Sequence, residues 1–456
     1  MSCLSTPLRF LPVLPQELQL ATALKSGQSF RWHRTPLHAT RTPTTQEVTD
    51  DEEWSFGWGD RTVVLRQDEQ GVHYRSLYPV KPPHTAYLAD LANDTTRPLL
   101  LDYFQLATPL APLYVQWSKA DSKFARKIHL DDQQDRKLRG IRVLKQDEWE
   151  TLVSFICSAN NNISRITLMV NRLCAQLGTP LPHPSHFDPS RDLSTSPTSP
   201  EGLPSTATPP PNDLSLYSFP PPDALTNISK TESLLRQLGF GYRANFIPTS
   251  ALHLVETAKS LKLTPSEYLR SLRKDQYTPE GEGSGDGLNE VREKLLEFKG
   301  VGRKVADCVM LFGLGWSQVV PVDTHVFQIA IRDYGFPSTK TTSLTPLLHD
   351  KVSDHLSKKW FPHAGWCQQV LFFADLKSTS NTTTSTPTKQ EVTYSKIEIK
   401  EEEEIDGYEE IKKKSFEEEV KEIMENPGRK RRRVTEVQEV KQKLTIGKVS
   451  KGVLKT

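Results

Sequence analysis

The deciding stretch of this 456-residue chain reads Leu295-Leu296-Glu297-Phe298-Lys299-Gly300-Val301-Gly302-Arg303-Lys304-Val305-Ala306. It predicts one helix that ends at a glycine and a second helix that opens from the Gly-Val-Gly turn. Such glycines leave backbone N–H groups unobstructed at a positive helix end, where a phosphate can bind. The segment lacks the GxxxxGK[ST] spacing and follows a helix, which argues against a nucleoside triphosphatase. Two interpretations remain at this point: a helix-hairpin-helix on a nucleic-acid backbone, or an ordinary helix corner.

Two side chains at and beyond this turn could carry chemistry. Lys304 falls in the first turn of the second predicted helix, where the helix dipole disfavours an ammonium ion and favours the nucleophilic amine. Farther along, Val320-Pro321-Val322-Asp323 places an aspartate where it could cap the next helix or face the same cleft. Taken alone, Lys304 is better explained as a surface lysine, and Asp323 is better explained as a simple helix cap. Together with the hairpin, they indicate a nucleophile with a carboxylate partner.

Five separate motifs, taken in order, resemble one enzyme family. They are Ser26-Gly27-Gln28-Ser29-Phe30-Arg31-Trp32, Phe155-Ile156-Cys157-Ser158-Ala159-Asn160-Asn161-Asn162-Ile163, Leu238-Gly239-Phe240-Gly241-Tyr242-Arg243-Ala244, the hairpin with Val320-Pro321-Val322-Asp323, and Ala364-Gly365-Trp366-Cys367-Gln368. This set is similar to the eukaryotic 8-oxoguanine DNA glycosylases of the helix-hairpin-helix (HhH-GPD) superfamily. The resemblance covers roughly residues 8–377 without the insertions. Phe298-Lys299 departs from the Leu-Pro that the family commonly has there, which loosens the hairpin but adds an amine that can bind phosphate.

The resemblance implies a bifunctional DNA glycosylase and AP lyase that removes 8-oxoguanine. Lys304 would attack the anomeric carbon of the damaged nucleotide, expel the base and form a Schiff base, from which β-elimination cuts the strand. Asp323 would stabilise positive charge that develops on the sugar. The family chemistry requires no metal and no cofactor. The five cysteines of the chain also lack the spacing of the iron–sulfur branch of the superfamily.

The resemblance also implies a base pocket, because a base stacked in a duplex must be flipped out before it is excised. Phe372 would stack on one face of the flipped base and Cys308 on the other. The backbone carbonyl of Gly27 would accept the extra N–H of the oxidised guanine, and Gln368 would read the Watson–Crick edge. Taken alone, Gly27 is more simply explained as a turn glycine, and Phe372 and Cys308 are more simply explained as core side chains. The occurrence of all of these residues in one sequence favours the base pocket.

Four further residues are assigned to the DNA around the extruded base. Asn160 would fill the vacated position in the stack, and Tyr242 would wedge the neighbouring base step. Arg165 and Arg243 would read the orphaned cytosine. A preference for cytosine as the opposite base follows from these two arginines.

The remaining assignments concern the DNA backbone. The Gly300 and Gly302 hairpin and the side chain of His325 would contact phosphates, and Asp375 would orient groups nearby. Such contacts increase the affinity for DNA but do not depend on its base sequence. We therefore expect damaged double-stranded DNA as the partner of this chain.

Composition and periodicity divide the chain into parts. Hydrophobic residues make up 36%, and thirteen of the 33 prolines lie within residues 179–222. We predict an α+β fold with an antiparallel β-sheet domain (residues 1–135), a helical HhH-GPD domain (136–376) interrupted by a disordered Pro-rich insertion (179–222), and a disordered charged tail (377–456). Strands are expected near residues 55–58, 62–65 and 72–74 and a loop near 33–53. Helices are expected from 146, from 163, and at 229–238, 265–272, 288–298 and 303–312.

The remaining features of the sequence concern the location of the protein and its binding partners. The formal charge is +2, from 58 basic and 56 acidic residues, so nucleic-acid binding must depend on local clusters. We expect no membrane contact, no secretion and a monomer. The basic run at residues 429–433 indicates a nuclear protein, with an additional mitochondrial pool left open, although a nonspecific DNA contact explains the run nearly as well. Two other functions stay open: a glycosylase for another lesion, and a noncatalytic DNA-binding scaffold.

Overall fold

The computed structural model describes residues 3–36, 52–81, 83–128, 138–184, 216–279, 287–338 and 343–380, all within one compact unit, Met1–Ser380. An antiparallel sheet opens this unit, with strand order β1-β6-β5-β4-β3 and β2 also paired to β6. The β4–β5 hairpin turns through two residues, and Gly59 supplies the positive φ of 58° that such turns favour. The three predicted strands are confirmed. The strands are β1 (Cys3–Ser5), β2 (Arg9–Leu11), β3 (His33–Pro36), β4 (Glu52–Trp58), β5 (Arg61–Gln67) and β6 (Val72–Pro79).

The segment after the sheet is helical, which the sequence did not predict for residues up to 135. Val63, Leu65 and Tyr74 of the sheet bury their side chains against Leu100 and Phe104 of the third helix. The third helix therefore covers the sheet with apolar side chains, whereas Leu110, Trp117 and Phe124 of the two helices that follow pack into the core of the helical bundle. A short helix also precedes β3. The helices of this part are α1 (Leu20–Ala23), α2 (Thr85–Asn93), α3 (Thr96–Tyr103), α4 (Leu110–Ala120) and α5 (Ser122–Ile128).

The rest of the unit is a bundle of helices around one large apolar core. The predicted helices are confirmed, and the bounds of the one that carries Lys304 are those expected from its periodicity. The helix that begins at Thr324 is the one that Asp323 was expected to cap in one of its two interpretations. Three long helices were not predicted: those that begin at Arg243, Pro346 and Ala364. The bundle consists of α6 (Glu148–Ile156), α7 (Ile163–Leu177), α8 (Ile228–Gln237), α9 (Arg243–Ser260), α10 (Pro265–Ser271), α11 (Leu288–Leu296), α12 (Arg303–Phe312), α13 (Thr324–Tyr334), α14 (Pro346–Trp360) and α15 (Ala364–Ser380).

The edges of the Pro-rich insertion are ordered, which corrects the prediction of disorder for all of residues 179–222. A short β7 (Pro180–Leu181) pairs with β8 (Leu216–Tyr217), and a 3-10 turn, Pro222–Leu225, follows. Burial of Leu181 and Leu216 stabilises this ribbon. Residues 185–215 lie outside the described residues. The predicted loop near residues 33–53 is wrong at its ends, because His33–Pro36 and Glu52–Trp58 pair as strands, and residues 37–51 lie outside the described residues. The predicted tail starts at 377, whereas α15 continues to Ser380. The remaining tail, 381–456 with its basic run, and the predicted boundary at 135 also lie outside the described residues.

The N-terminal segment packs onto the bundle through buried polar contacts. Arg31 Nε donates to Glu150 Oε1 at 2.9 Å, and both side chains are buried. Trp117 Nε1 of α4 donates to the carbonyl of Trp360 at the end of α14. None of the described helices is long and apolar enough to cross a membrane. In the part of the chain that the structure describes, no group of His, Cys, Asp or Glu side chains could hold a metal ion.

Candidate active site and nucleic-acid interface

The hairpin between α11 and α12 is shaped by two glycines with different roles. Gly300 has a φ of 81°, and a Cβ there would lie 2.5 Å from the Phe246 ring of α9. Only glycine combines that left-handed backbone with so close an approach. Gly302 is the exposed N-cap of α12, and a Cβ there would meet nothing within 4 Å. The open N-terminus of α12 therefore offers its backbone N–H groups to an anion.

Lys304 lies in the first turn of α12, half-buried and facing the end of α6. Its Nζ donates to Ser158 Oγ at 2.9 Å and lies 5.3 Å from the centre of the Phe155 ring. The amine is thus held at the mouth of the core, with an aromatic ring on one side and a hydroxyl beside it. This is a suitable place for a nucleophile, because it is accessible and fixed.

Cys308 and Asp323 complete the group around Lys304. Cys308 lies one turn farther along α12 and is almost fully buried, which raises the pKa of its thiol to about 12. The charge of Lys304 and a hydrogen bond with it act to lower that pKa, and the charges of Asp323 and Asp307 act to raise it. Asp323 also caps α13, since its Oδ1 accepts the N–H of Val326 at 2.8 Å. The cap fixes the carboxylate in place.

Gly27 and Phe372 lie against each other. Gly27 has a φ of 76°, and a Cβ there would lie 3.8 Å from Cε1 of Phe372 and 2.9 Å from Cδ1 of Ile163. Phe372 belongs to α15, where Gln368 precedes it by one turn on the same face. The Gln368 side chain is buried. Three of the predicted base-binding residues, Gly27, Gln368 and Phe372, therefore lie in neighbouring parts of the fold.

The backbone around Gly27 is fixed from both sides. Gln369 Nε2 donates to the carbonyl of Ser26 at 2.7 Å, and Gln146 Nε2 donates to the carbonyl of Gln28 at 2.6 Å. Among the described residues no donor reaches the carbonyl of Gly27 itself. A buried turn thus presents one free acceptor, which is what a pocket for an N–H donor needs.

The corner between α6 and α7 projects Asn160. This residue is exposed and has a φ of 45°, a left-handed conformation in which asparagine is tolerated better than most residues. Arg243 bridges the corner from beneath: its guanidinium donates to the carbonyls of Ala159 and Asn160 and stacks 4.3 Å from the centre of the Tyr242 ring. Tyr242 is itself 43% exposed and donates to the Ala159 carbonyl.

The structure therefore brings Asn160, Tyr242 and Arg243 together. Arg165 lies in the first turn of α7 and is exposed, and within the described chain its side chain has no recorded hydrogen bond. The buried guanidinium of Arg243 supports the corner, whereas that of Arg165 is free to reach a ligand. This difference between the two arginines was not apparent from the sequence.

His325 and Asp375 form an ion-pair cluster next to the pocket. His325 Nε2 lies 2.9 Å from Asp375 Oδ2, and the His325 ring packs edge-on against Phe372 with 5.5 Å between ring centres. Burial raises the pKa of the Asp375 carboxyl, but Lys127 and Arg332 outweigh that effect and hold the pKa below its ordinary value. Lys127 and Arg332 approach Asp375 Oδ1 at 3.3 and 3.1 Å.

Sequence reasoning missed several of these residues. Ser158 lies within one of the five motifs, but no local pattern indicates a role for it, and none marks Lys127 or Arg332. Their partners lie far away along the chain: Ser158 is 146 residues from Lys304, and Lys127 is 248 residues from Asp375. No local pattern could have revealed these contacts. Only a full three-dimensional arrangement brings them together.

The hairpin, the lysine of α12 and the capping aspartate of α13 define a helix-hairpin-helix base-excision protein. Residues 153–353 match the family model described as HhH-GPD superfamily base excision DNA repair protein. Residues 10–152 match the model described as 8-oxoguanine DNA glycosylase, N-terminal domain.

Two curated relatives extend over most of the chain. It is 36% identical over 394 residues to an N-glycosylase/DNA lyase of Saccharomyces cerevisiae, covering 82% of this chain and 88% of the relative. It is 33% identical over 365 residues to an N-glycosylase/DNA lyase of Arabidopsis thaliana, covering 79% and 78%. The chain therefore belongs to the 8-oxoguanine DNA glycosylase family.

Solved structures share the fold. MBOgg1 in complex with a low-affinity DNA ligand aligns with a TM-score of 0.54 at 21% identity, over 83% of this chain and all of that one. The apo form of an 8-oxoguanine glycosylase/lyase from Clostridium acetobutylicum aligns with a TM-score of 0.53 at 22% identity, over 82% and 99%. At these identities the similarity concerns the fold.

Proposed function

We propose that this protein is a bifunctional DNA glycosylase and AP lyase that removes 8-oxoguanine from duplex DNA. One observation carries the proposal: Lys304 and Cys308 lie one turn apart on α12 behind the hairpin, Asp323 caps the next helix, α13, and Gly27 lies against Phe372. His325 connects the two groups, because it follows Asp323 by two residues and packs on Phe372. Membership of a family with curated N-glycosylase/DNA lyases supports the same activity.

Lys304 acts as the nucleophile in this proposal. Its neutral amine attacks C1′ of the damaged nucleotide, the N-glycosidic bond breaks, and the base leaves with the bonding electrons. Opening of the sugar ring then gives a Schiff base between C1′ and Nζ. Loss of a proton from C2′ expels the 3′ phosphate and cuts the strand. Asp323 stabilises the cationic sugar, since its helix cap holds a carboxylate near the reacting centre without reorganisation.

The pocket selects the oxidised base. The flipped base stacks on Phe372 with Cys308 on the opposite face, and Gln368 bonds its Watson–Crick edge. The free carbonyl of Gly27 accepts the N7–H that guanine lacks, so a normal guanine leaves a buried acceptor unpaired. Because both neighbouring carbonyls are already bonded, the position of that acceptor is fixed before DNA arrives.

The exposed residues bind the duplex. Asn160 fills the vacated stack and Tyr242 wedges the adjacent step. Arg165 reaches the orphaned cytosine directly, while Arg243 supports the Asn160 corner and reads the same base from beneath. The N-terminus of α12 and His325 bind phosphates, with Asp375 orienting the histidine.

Single-turnover excision tests the function. Duplexes carry 8-oxoguanine opposite each of the four bases, an alkylated purine, or no lesion. We expect base release and strand cutting for 8-oxoguanine, fastest opposite cytosine, and neither reaction for undamaged DNA. Release of the alkylated base alone would favour a glycosylase for another lesion. Tight binding of the 8-oxoguanine duplex without release would favour a noncatalytic scaffold.

Two further proposals concern the state of the enzyme in the cell. We propose a monomer, because Lys304, Asp323, Gly27 and Phe372 all come from one chain. We also propose a nuclear location, directed by the basic run at residues 429–433. Light scattering tests the first. Localisation of a fluorescent fusion, with and without alanines at 429–433, tests the second, and unchanged nuclear accumulation of the alanine variant would assign the signal elsewhere.

A further inference from the structure

Ser158 is a polar residue of the site that the proposed mechanism does not use. Its Oγ donates to the carbonyl of Phe155 at 2.7 Å and accepts from Lys304 Nζ at 2.9 Å. A hydroxyl has one proton and two lone pairs. Because its proton is committed to a carbonyl, Ser158 can only act as an acceptor toward the amine.

The position of this acceptor is determined by the end of α6. The backbone N–H of Ser158 also donates to the Phe155 carbonyl, at 3.1 Å, so both donors of the residue bind one oxygen. The Phe155 ring stacks on Phe312 of α12 with 5.3 Å between ring centres. Ser158 is therefore fixed by rigid elements on the helix that faces the nucleophile.

This arrangement has a consequence for the amine. A neutral amine has two N–H bonds and one lone pair, and only the lone pair attacks carbon. One N–H is directed at Ser158, and the centre of the Phe155 ring lies 5.3 Å from the nitrogen. The lone pair is then free to point away from Ser158.

We propose that Ser158 is a positioning residue for base excision, which accepts a hydrogen bond from Lys304 and so orients its lone pair toward the flipped nucleotide. This inference rests on the proposed function. The same turn continues into the plug, since Ala159 and Asn160 are held by Arg243. Ser158 thus joins the nucleophile to the corner that enters the DNA.

The test compares four proteins on an 8-oxoguanine:cytosine duplex: wild type, Ser158→Ala, Ser158→Thr and Ser271→Ala. Ser271 is the matched control, because its Oγ donates to the carbonyl three residues earlier, at 2.7 Å, near the end of α10. It has the same local bond as Ser158 but lies outside the site. Single-turnover rates at saturating enzyme, duplex affinity and thermal unfolding are measured for each protein.

We expect Ser158→Ala to release base about tenfold more slowly, the effect of one lost hydrogen bond, with unchanged affinity for the duplex. Ser158→Thr should recover most of the rate because it keeps the hydroxyl, and Ser271→Ala should match wild type. A wild-type rate in Ser158→Ala would overturn the inference alone. So would a slow Ser158→Thr, or a loss confined to affinity or stability. Absence of base release by wild type would overturn the inference together with the proposed function.

Discussion

Asp307 and His349 form a buried titratable pair behind the hairpin, and replacing either should change how stability depends on pH. His349 Nε2 lies 3.6 Å from Asp307 Oδ2 and accepts the N–H of Val322 at 3.3 Å. Arg292 Nε donates to Asp307 Oδ1 at 2.7 Å. Burial raises the pKa of Asp307 to about 7, although Arg292 opposes this shift. Burial lowers the pKa of His349 to about 4, against the opposing charge of Asp350.

The two shifts act in opposite directions on the free energy of unfolding. Between about pH 4 and 7 folded Asp307 keeps a proton that the unfolded chain releases, so its contribution to stability falls as pH rises. Between about pH 6.5 and 4 unfolded chains protonate His349 and folded ones do not, so its contribution falls as pH drops. Since a tenfold change in proton affinity is worth about 1.4 kcal/mol, the full effects are about 4 and about 3 kcal/mol. In the wild type they largely cancel.

Urea unfolding at pH 4.5, 5.5 and 6.5 would separate the contributions of Asp307 and His349 to the free energy of unfolding. Relative to wild type, Asp307→Asn should become more stable as pH rises, and His349→Gln should become less stable, each by up to about 1.4 kcal/mol per pH unit. The exposed His355→Gln serves as the control, which should follow the wild-type curve. If both buried variants differ from wild type by the same amount at every pH, the pair does not titrate as its burial requires.

Three further changes test the site and the fold. Gly27→Ala forces a side chain into a φ of 76°, 2.9 Å from Ile163; it should reduce the ratio of 8-oxoguanine to guanine excision rates about tenfold or more, while affinity for undamaged duplex stays the same. Arg31→Met leaves Glu150 buried without its partner and should lower the urea-derived stability by about 3–5 kcal/mol, with partial recovery when Glu150→Gln is added. Arg243→Ala removes the guanidinium nitrogen that donates to both loop carbonyls and should diminish the rate ratio for cytosine over adenine as the opposite base; an unchanged ratio would remove Arg243 from opposite-base recognition.

Local pattern was enough to predict the elements whose apolar spacing is regular. The apolar stripe from Ile163 to Leu173 predicted α7, and Gly300 and Gly302 predicted the hairpin between α11 and α12. The pattern failed where tertiary packing determines the structure. Residues 85–128 fold into four helices that pack on the sheet or into the bundle core, and α9 continues through Pro248, which is buried.

The candidate site divides in the same way. Lys304 and Asp323 stand at two helix N-termini, and the sequence encodes those positions locally. The contacts that position these two side chains are not encoded locally. Ser158 reaches Lys304 across 146 residues, and Lys127 reaches Asp375 across 248, so only the folded arrangement reveals either.

The identity of the nucleophile is most directly tested by locating the covalent adduct. Wild type and Lys304→Gln are each incubated with borohydride and an 8-oxoguanine:cytosine duplex, digested with nuclease and protease, and analysed by mass spectrometry. We predict one adduct in the wild type, on the peptide that contains Lys304, and no trapped species from the variant. An adduct on another residue, or undiminished trapping by Lys304→Gln, would contradict the assignment of the nucleophile.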